Sequence, residues 1–121
     1  MKVLLVDDEP NIIMSLDFLM RKANYEVFIG RNGTEALHIA ATERPDVIIL
    51  DIMMPDIDGY DVCRKIKDSP ETAHAKIVFL SAKTREADIE KGYEVGASLY
   101  ITKPFSTKTL MKQVESLMAA K

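Results

Sequence analysis

Five polar residues that each follow a short apolar run are the part of this sequence that could carry chemistry. They are Asp7, Asp8, Asp51, Ser81 and Lys103. Carboxylates, a hydroxyl and an ammonium are groups that can bind a divalent cation and a phosphoryl group. If the apolar runs form parallel strands of one sheet, these side chains gather at one edge. The spacing therefore predicts phosphoryl chemistry in a crevice at that edge.

The apolar runs themselves predict the strands that would position these residues. Each run has three or four residues. They are rich in branched side chains and lack polar alternation, which is typical of strands buried on both faces. A further strand is expected over residues 25–29. The runs are Val3-Leu4-Leu5-Val6, Val47-Ile48-Ile49-Leu50, Ile77-Val78-Phe79-Leu80 and Leu99-Tyr100-Ile101.

Each predicted strand is followed by a segment with the apolar spacing of an amphipathic helix. After the first strand, for example, Ile12, Leu16 and Leu19 lie on one helical face. Short polar side chains that can accept a backbone N–H are suited to begin the later helices. The expected caps are Asn32, Asp58 and either Ser106 or Thr107.

Repeated strand–helix units favour an α/β fold in which right-handed crossovers give a parallel sheet covered by helices on both faces. We expect the doubly wound, flavodoxin-like (βα)5 arrangement, a five-stranded parallel sheet of order 2-1-3-4-5. In that order the first and third strands are neighbours at the switch point, where ligands bind outside the carboxyl ends of the strands. Asp7, Asp8 and Asp51 would face one another across this crevice.

The bulk properties of the chain are those of one globular domain, expected over residues 1–121 with 47% hydrophobic residues. No apolar run approaches the ~18 residues of a membrane span, and Met1 leads almost directly into a strand, so no signal peptide is expected. The single cysteine, Cys63, agrees with a reducing, cytoplasmic location. A net charge of −3 without a basic block argues against direct nucleic-acid binding.

The three carboxylates would repel one another strongly if all were ionised in a dry crevice. Mg²⁺ would remove this repulsion, since it binds one or two carboxylates together with waters and a phosphoryl oxygen. A carboxylate beside the ion could attack phosphorus and form an aspartyl phosphate. Lys103 could neutralise another phosphoryl oxygen, and Ser81 could donate a hydrogen bond to the third.

Taken singly, each of these residues has an ordinary structural interpretation. Asp8 could cap the first helix, Asp51 could be a turn residue, Ser81 could be a cap and Lys103 a solvated side chain. Tyr100 could simply fill space beside a half-buried strand. Only the combination favours a phosphoryl site.

In combination, these motifs resemble the receiver domains of bacterial two-component response regulators, the family of the chemotaxis regulator. The resemblance extends over essentially the whole chain. The matching stretches are Val6-Asp7-Asp8-Glu9, Ile49-Leu50-Asp51-Ile52-Met53-Met54-Pro55 with Asp58-Gly59, Leu80-Ser81-Ala82, and Tyr100-Ile101-Thr102-Lys103-Pro104-Phe105.

The resemblance implies a phosphoacceptor and a metal site. Asp51 would accept a phosphoryl group from a phosphohistidine on a sensor histidine kinase or a histidine phosphotransfer protein. Mg²⁺ would be held by Asp8, Asp51 and the backbone carbonyl of Met53, with Asp7 reaching the ion through water. The kinase would dock mainly on the first helix, around residues 11–19.

The resemblance also implies a switch. Ser81 and Lys103 would bind phosphoryl oxygens, and the Lys103-Pro104 peptide bond would be cis. Tyr100 would point outward before phosphorylation and turn inward when Ser81 moves to the phosphoryl group. The surface of the fourth helix, fifth strand and fifth helix would thereby be remodelled for a downstream target that the sequence does not identify.

Three other functions compete with this interpretation. A haloacid dehalogenase-like phosphatase would need a second Asp two residues after the nucleophile, where this chain has Met53. A flavodoxin-like FMN carrier would need a Ser/Thr-rich loop after the first strand, where this chain has Asp7-Asp8-Glu9-Pro10. A receiver-shaped module that no longer takes phosphate would lack some site residue, yet all five are present. We therefore expect self-phosphotransfer and slow self-dephosphorylation, not an enzyme with a separate substrate.

Two further expectations concern the phosphorylated state. The resemblance implies that the rate of self-dephosphorylation depends on the residues two after Asp51 and Ser81, here Met53 and Lys83. Neither positions an attacking water well, so a long-lived phosphorylated form is expected. The salt-bridged dimer of winged-helix regulators is disfavoured, which leaves a monomer or weak dimer. Its usual charged positions are occupied by Ser98, Leu99, Thr109 and Gln113.

Overall fold

Strands and helices alternate along the whole chain in a computed structural model that describes residues 1–120. The five predicted strand–helix units are confirmed, and the second strand begins one residue later than expected, at Glu26. The elements are β1 (Lys2–Val6), α1 (Pro10–Lys22), β2 (Glu26–Gly30), α2 (Gly33–Glu43), β3 (Val47–Leu50), α3 (Gly59–Asp68), β4 (Lys76–Ser81), α4 (Glu86–Glu94), β5 (Leu99–Thr102) and α5 (Thr107–Ala119).

All five strands form one parallel sheet of order β2-β1-β3-β4-β5, which confirms the predicted doubly wound, flavodoxin-like fold. At the carboxyl end of the sheet, Val6 is paired with Leu50 and Ser81 with Thr102. The segments that follow β1, β3, β4 and β5 therefore leave the sheet from the same edge.

Successive residues of each strand contribute to apolar layers on opposite faces of the sheet. In β1, Leu4 and Val6 pack with the buried faces of α2 and α3, whereas Val3 and Leu5 pack with those of α1 and α5. Because both faces are covered, the strands need no polar side chains before their ends. Among residues 1–120, every helix is too short or too polar to cross a lipid bilayer.

The predicted side-chain caps are present at α2, α3 and α5, whereas α4 has no side-chain cap bond and neither has α1. There the N-cap is Glu9, without a side-chain cap bond, and Pro10 occupies the first helical turn. The interpretation of Asp8 as a cap is therefore wrong, because the fixed backbone of proline begins the helix and lacks an N–H to satisfy. Side-chain oxygens accept the capping N–H as expected at Asn32, Asp58 and Ser106.

Candidate functional site

The polar residues predicted from the strand ends lie together at one edge of the sheet. Asp7 follows β1, Asp51 follows β3 and Lys103 follows β5, while Ser81 is the last residue of β4. The side chains of Asp7, Asp51 and Ser81 are buried, and Asp8 is exposed. Parallel topology thus brings together residues that are up to 96 positions apart in the chain.

Lys103 is the cation at the centre of this group. Its Nζ lies 3.0 Å from Oδ2 of Asp7, 2.9 Å from Oε1 of Glu9 and 3.3 Å from Oδ2 of Asp51. Burial alone would lower the pKa of the Lys103 ammonium, but the bonds to Glu9 and Asp7 and the charge of Asp51 outweigh burial and raise this pKa above its usual value. Lys103 is therefore a permanent positive charge beside Asp51.

The carboxylates around Lys103 form a compact set of oxygen ligands. One oxygen from each of Asp7, Asp8, Glu9 and Asp51 lies within 4.8 Å of the others. Burial raises the pKa of Asp7, outweighing the hydrogen bond from the Glu9 N–H and the bond and charge of Lys103. Clustered carboxylates are the donors that hard divalent cations such as Mg²⁺ prefer, so these residues fit the predicted ion.

The loop that carries Asp51 turns sharply towards α3. Oδ1 of Asp51 accepts the N–H of Met53 at 3.1 Å, and the N–H of Gly59 donates to the carbonyl of Ile52 at 2.8 Å. A β-carbon at Gly59 would lie 2.5 Å from the carbonyl oxygen of Asp51. Only glycine therefore allows α3 to begin so close to the end of β3.

Ser81 and Tyr100 are linked through the backbone of one residue. Oγ of Ser81 accepts the N–H of Lys83 at 3.1 Å, and the hydroxyl of Tyr100 donates to the carbonyl of Lys83 at 2.7 Å. The Tyr100 ring packs on Phe79, with ring centroids 6.0 Å apart, and lies against Gly92 of α4. The tyrosine is thus turned inward; the outward position stays a prediction.

The connection after β5 completes the site. The backbone N–H of Lys103 donates to the carbonyl of Ser81 at 2.8 Å, which extends the pairing of β4 and β5 by one bond. The Lys103-Pro104 peptide bond is cis. The Lys103 side chain at this position extends towards Asp7 and Asp51.

Two residues near the site were not assigned a role from the sequence. Glu9 binds Lys103, and its position directly after two acidic residues was a signal that could have pointed to it. Tyr60 donates a hydrogen bond to the carbonyl of Asp88 at 2.9 Å and contacts Phe79 edge-on at 5.6 Å. Nothing in the local sequence indicates this role of Tyr60, because its partners lie on other elements.

Comparisons with known proteins identify one family. A family model described as the response regulator receiver domain matches residues 3–115. The chain is 33% identical to the chemotaxis response regulator CheY4 of Vibrio cholerae, covering 96% of this chain and 97% of that one, with a TM-score of 0.89. It is 27% identical to the BeF3-activated N-terminal receiver domain of Klebsiella pneumoniae RstA, covering 99% and 100%, with a TM-score of 0.90. It is also 32% identical to the signal receiver domain of a signal transduction histidine kinase from Syntrophus aciditrophicus, covering 98% and 89%, with a TM-score of 0.88.

Proposed function

The chain belongs to the response regulator receiver domain family of two-component systems, and on that premise we propose that it is a phosphorylation-dependent switch whose phosphoacceptor is Asp51. The observation that carries the proposal is the position of Asp51. Its buried carboxylate lies 3.3 Å from the Lys103 ammonium and within the same cluster as Asp7 and Asp8.

The phosphoryl donor that we propose is a phosphohistidine of a sensor histidine kinase or a histidine phosphotransfer protein. A carboxylate oxygen of Asp51 forms the new O–P bond while the N–P bond of the phosphohistidine breaks and its electron pair stays on the ring nitrogen. The other ring nitrogen carries a proton, so the leaving group is a neutral imidazole. Asp51 attacks as a carboxylate and has no proton to lose. Lys103 and the hydroxyl of Ser81 stabilise the charge on the phosphoryl oxygens during the transfer.

Mg²⁺ is the cofactor that we propose, held by Asp8, Asp51 and the backbone carbonyl of Met53, with Asp7 binding through water. When bound, the ion neutralises carboxylate and phosphoryl charge and orients the reacting oxygens. The carboxylate cluster supports this assignment, because four acidic side chains with Lys103 as their central cation retain net negative charge.

The switch that we propose acts through Lys83. Ser81 accepts the N–H of Lys83 and Tyr100 donates to its carbonyl, so a movement of Ser81 towards a phosphoryl group alters the hydrogen bond that holds Tyr100. Tyr100 lies on β5 beside α4 and α5, and these elements form the surface that a downstream target would bind. The phosphoryl group shifts the equilibrium between the resting and the activated arrangement only by as much as its affinities for the two differ.

The chemistry that we propose is confined to the protein's own acceptor. It accepts a phosphoryl group and loses it slowly to water, without turning over another substrate. Met53 and Lys83 flank the acceptor region, and neither offers a carboxylate or amide to hold an attacking water. A long lifetime of the phosphorylated form is the expected result.

Intact-mass measurement after incubation with acetyl phosphate and Mg²⁺ tests the acceptor. The wild type should gain the mass of one phosphoryl group only when Mg²⁺ is present, and Asp51→Asn should gain none. Asp61→Asn, which changes an exposed carboxylate on α3, should behave as the wild type. A folded wild type that forms no adduct, or an adduct that persists in Asp51→Asn, would refute the proposal and favour an interaction module that no longer takes phosphate.

A further inference from the structure

Asp56 ties the loop that carries Asp51 and Met53 to the beginning of α2. Its Oδ1 accepts the N–H of Gly33 at 2.8 Å, and its Oδ2 accepts the N–H of Thr34 at 2.9 Å and the Thr34 hydroxyl at 2.5 Å. One carboxylate thus satisfies two of the free N–H groups at the start of an 11-residue helix. The loop between β3 and α3 is fastened to a different helix from the one that it leads into.

The chemistry of this tie favours the ionised form of Asp56. The hydroxyl and the N–H of Thr34 are the main causes that hold the pKa of Asp56 far below its usual range. The positive end of the α2 dipole favours the same charged form. Asp56 therefore remains an anion bound to α2 throughout the neutral range.

Close packing beside the tie gives a second, independent indication that loop and helix form one unit. A β-carbon at Gly33 would lie 2.9 Å from Cβ of Ile57, 3.0 Å from the carbonyl oxygen of Ile57 and 3.0 Å from Cγ2 of Val62. The residue after Asp56 therefore rests directly on the first turn of α2, with no room for a side chain between them.

The fixed points leave a short segment between them. The two ends of this segment are Ile52, whose carbonyl is bonded to the N–H of Gly59, and Asp56, which is bonded to α2. Between them lie Met53, whose side chain is 57% exposed, and Pro55, which is also exposed. Before the Met53 carbonyl, the segment is held by the bond from the Met53 N–H to Asp51. After it, the segment is held by the packing of Met54 against the core and by the hydrogen bonds of Asp56 to α2, which tie it to another element.

We propose that Asp56 is a positioning residue that orients the Met53 carbonyl towards the divalent cation. This inference rests on the proposed function, in which that carbonyl is a metal ligand. Asp56 does not bind the ion; it acts through the backbone of the loop. Loss of the tie should weaken Mg²⁺ binding by about tenfold, the lower end of the range for residues that support metal ligands.

Calorimetric titration with Mg²⁺ tests the proposal on the unphosphorylated protein. Asp56→Ala should weaken the affinity by about tenfold, and the conservative Asp56→Asn should restore part of it. Thr34→Val removes the hydroxyl bond without changing the charge and should give an intermediate loss. The matched control is Asn32→Ala, which removes the cap of the same helix but leaves the loop attached, and which should bind Mg²⁺ as the wild type does.

The outcomes separate the inference from the function on which it depends. A wild type that does not bind Mg²⁺ would overturn the metal site and the role of Asp56 together. Normal binding by Asp56→Ala, or equal weakening by Asn32→Ala, would overturn only the role of Asp56. If the loss of Mg²⁺ affinity in Asp56→Ala disappears at 1 M salt, where the Debye length is ~3 Å, the Asp56 charge acts on the ion at long range. That result would also overturn the positioning role. If Asp56→Ala does not fold, Asp56→Asn and Thr34→Val decide the question.

Discussion

At the scale of single residues, the site is a group of like charges arranged around one cation. Asp7 is buried there and shares Lys103 with Glu9 and Asp51. Taking a carboxylate out of water costs free energy, which a neighbouring cation offsets only in part. The free protein is therefore destabilised by the same charges that attract a divalent ion.

Asp7→Asn should make the metal-free protein more stable at neutral pH. Burial raises the pKa of Asp7 above 3.8, so the folded state binds this proton more tightly than the unfolded state does. The unfolding free energy then falls as pH rises from 3.8 through the folded pKa. Thermal unfolding in EDTA should show a higher Tm for the variant than for the wild type at neutral pH. The difference between the two Tm values should narrow as pH falls towards the acid range.

Excess Mg²⁺ should reduce or reverse this advantage, because ligand binding to the folded state adds stability to the wild type. Asp61→Asn, at an exposed carboxylate outside the site, should gain the same stability from Mg²⁺ as the wild type does. A wild type more stable than Asp7→Asn in EDTA at neutral pH would contradict the expected cost of the Asp7 charge.

At the scale of elements, α4 is attached to the rest of the molecule largely through tyrosines. The hydroxyl of Tyr60 on α3 binds the carbonyl of Asp88, and Lys91 lies 4.5 Å above the Tyr60 ring. The hydroxyl of Tyr93 accepts the N–H of Tyr100 at 3.2 Å, on the edge strand β5. These contacts, with the bond from Cys63 to the carbonyl of Val95, attach the helix that borders the proposed output surface.

Gly92→Ala should destabilise the wild type but stabilise the Tyr100→Ala variant. A β-carbon at Gly92 would lie 2.7 Å from Cδ2 of Tyr100, so the inward ring must move, at a cost of roughly 1–3 kcal/mol. Once the ring is removed, alanine is favoured over glycine within a helix by about 1 kcal/mol. Urea unfolding of the four proteins in this double-mutant cycle measures both effects.

The effect of Gly92→Ala on stability should change sign between the wild type and Tyr100→Ala, and this change distinguishes Tyr100 from Phe79 as the side chain in conflict. The same β-carbon would lie 3.2 Å from Cδ2 of Phe79. Equal destabilisation by Gly92→Ala in both backgrounds would identify Phe79, and not the inward Tyr100, as the side chain that requires glycine.

Strands and helix starts could be predicted where the residues that determine them are close together in the sequence. Unbroken apolar runs such as that ending at Leu50 mark strands buried on both faces, and Asn32 and Asp58 cap helices through the next few residues. Contacts between elements were not predictable in the same way. Asp56 meets Thr34 across 22 positions, and Tyr60 meets Asp88 across 28; these depend on how the helices sit on the sheet.

At the scale of the whole molecule, the topology explains why the site could be predicted before its geometry was known. Order 2-1-3-4-5 places β1 beside β3, so residues after these strands must meet. The sequence did not determine which way Tyr100 points. The inward ring is held by the carbonyl of Lys83, in the loop after β4, and lies against Gly92 of α4. Both contacts come from parts of the chain outside β5.

The proposed output surface also sets an expectation for association. In an isologous dimer each charge must find its partner on the same face of the second copy. On the face of α4, β5 and α5, Thr109 and Gln113 are exposed and uncharged. Sedimentation of the beryllofluoride-loaded protein should therefore show a monomer or a weak dimer whose cross-links avoid this face.

A gain-of-function variant sharpens this prediction. Thr109→Glu combined with Gln113→Arg restores the acid and base that winged-helix regulators carry at the matching places, so the beryllofluoride-loaded variant should associate more strongly than the wild type. Each single substitution should do less, since an unpartnered charge on a self-complementary face is repulsive. A wild-type dimer cross-linked through position 113 would show that apolar contacts such as the exposed Tyr93 suffice, and the argument from missing charge pairs would fail.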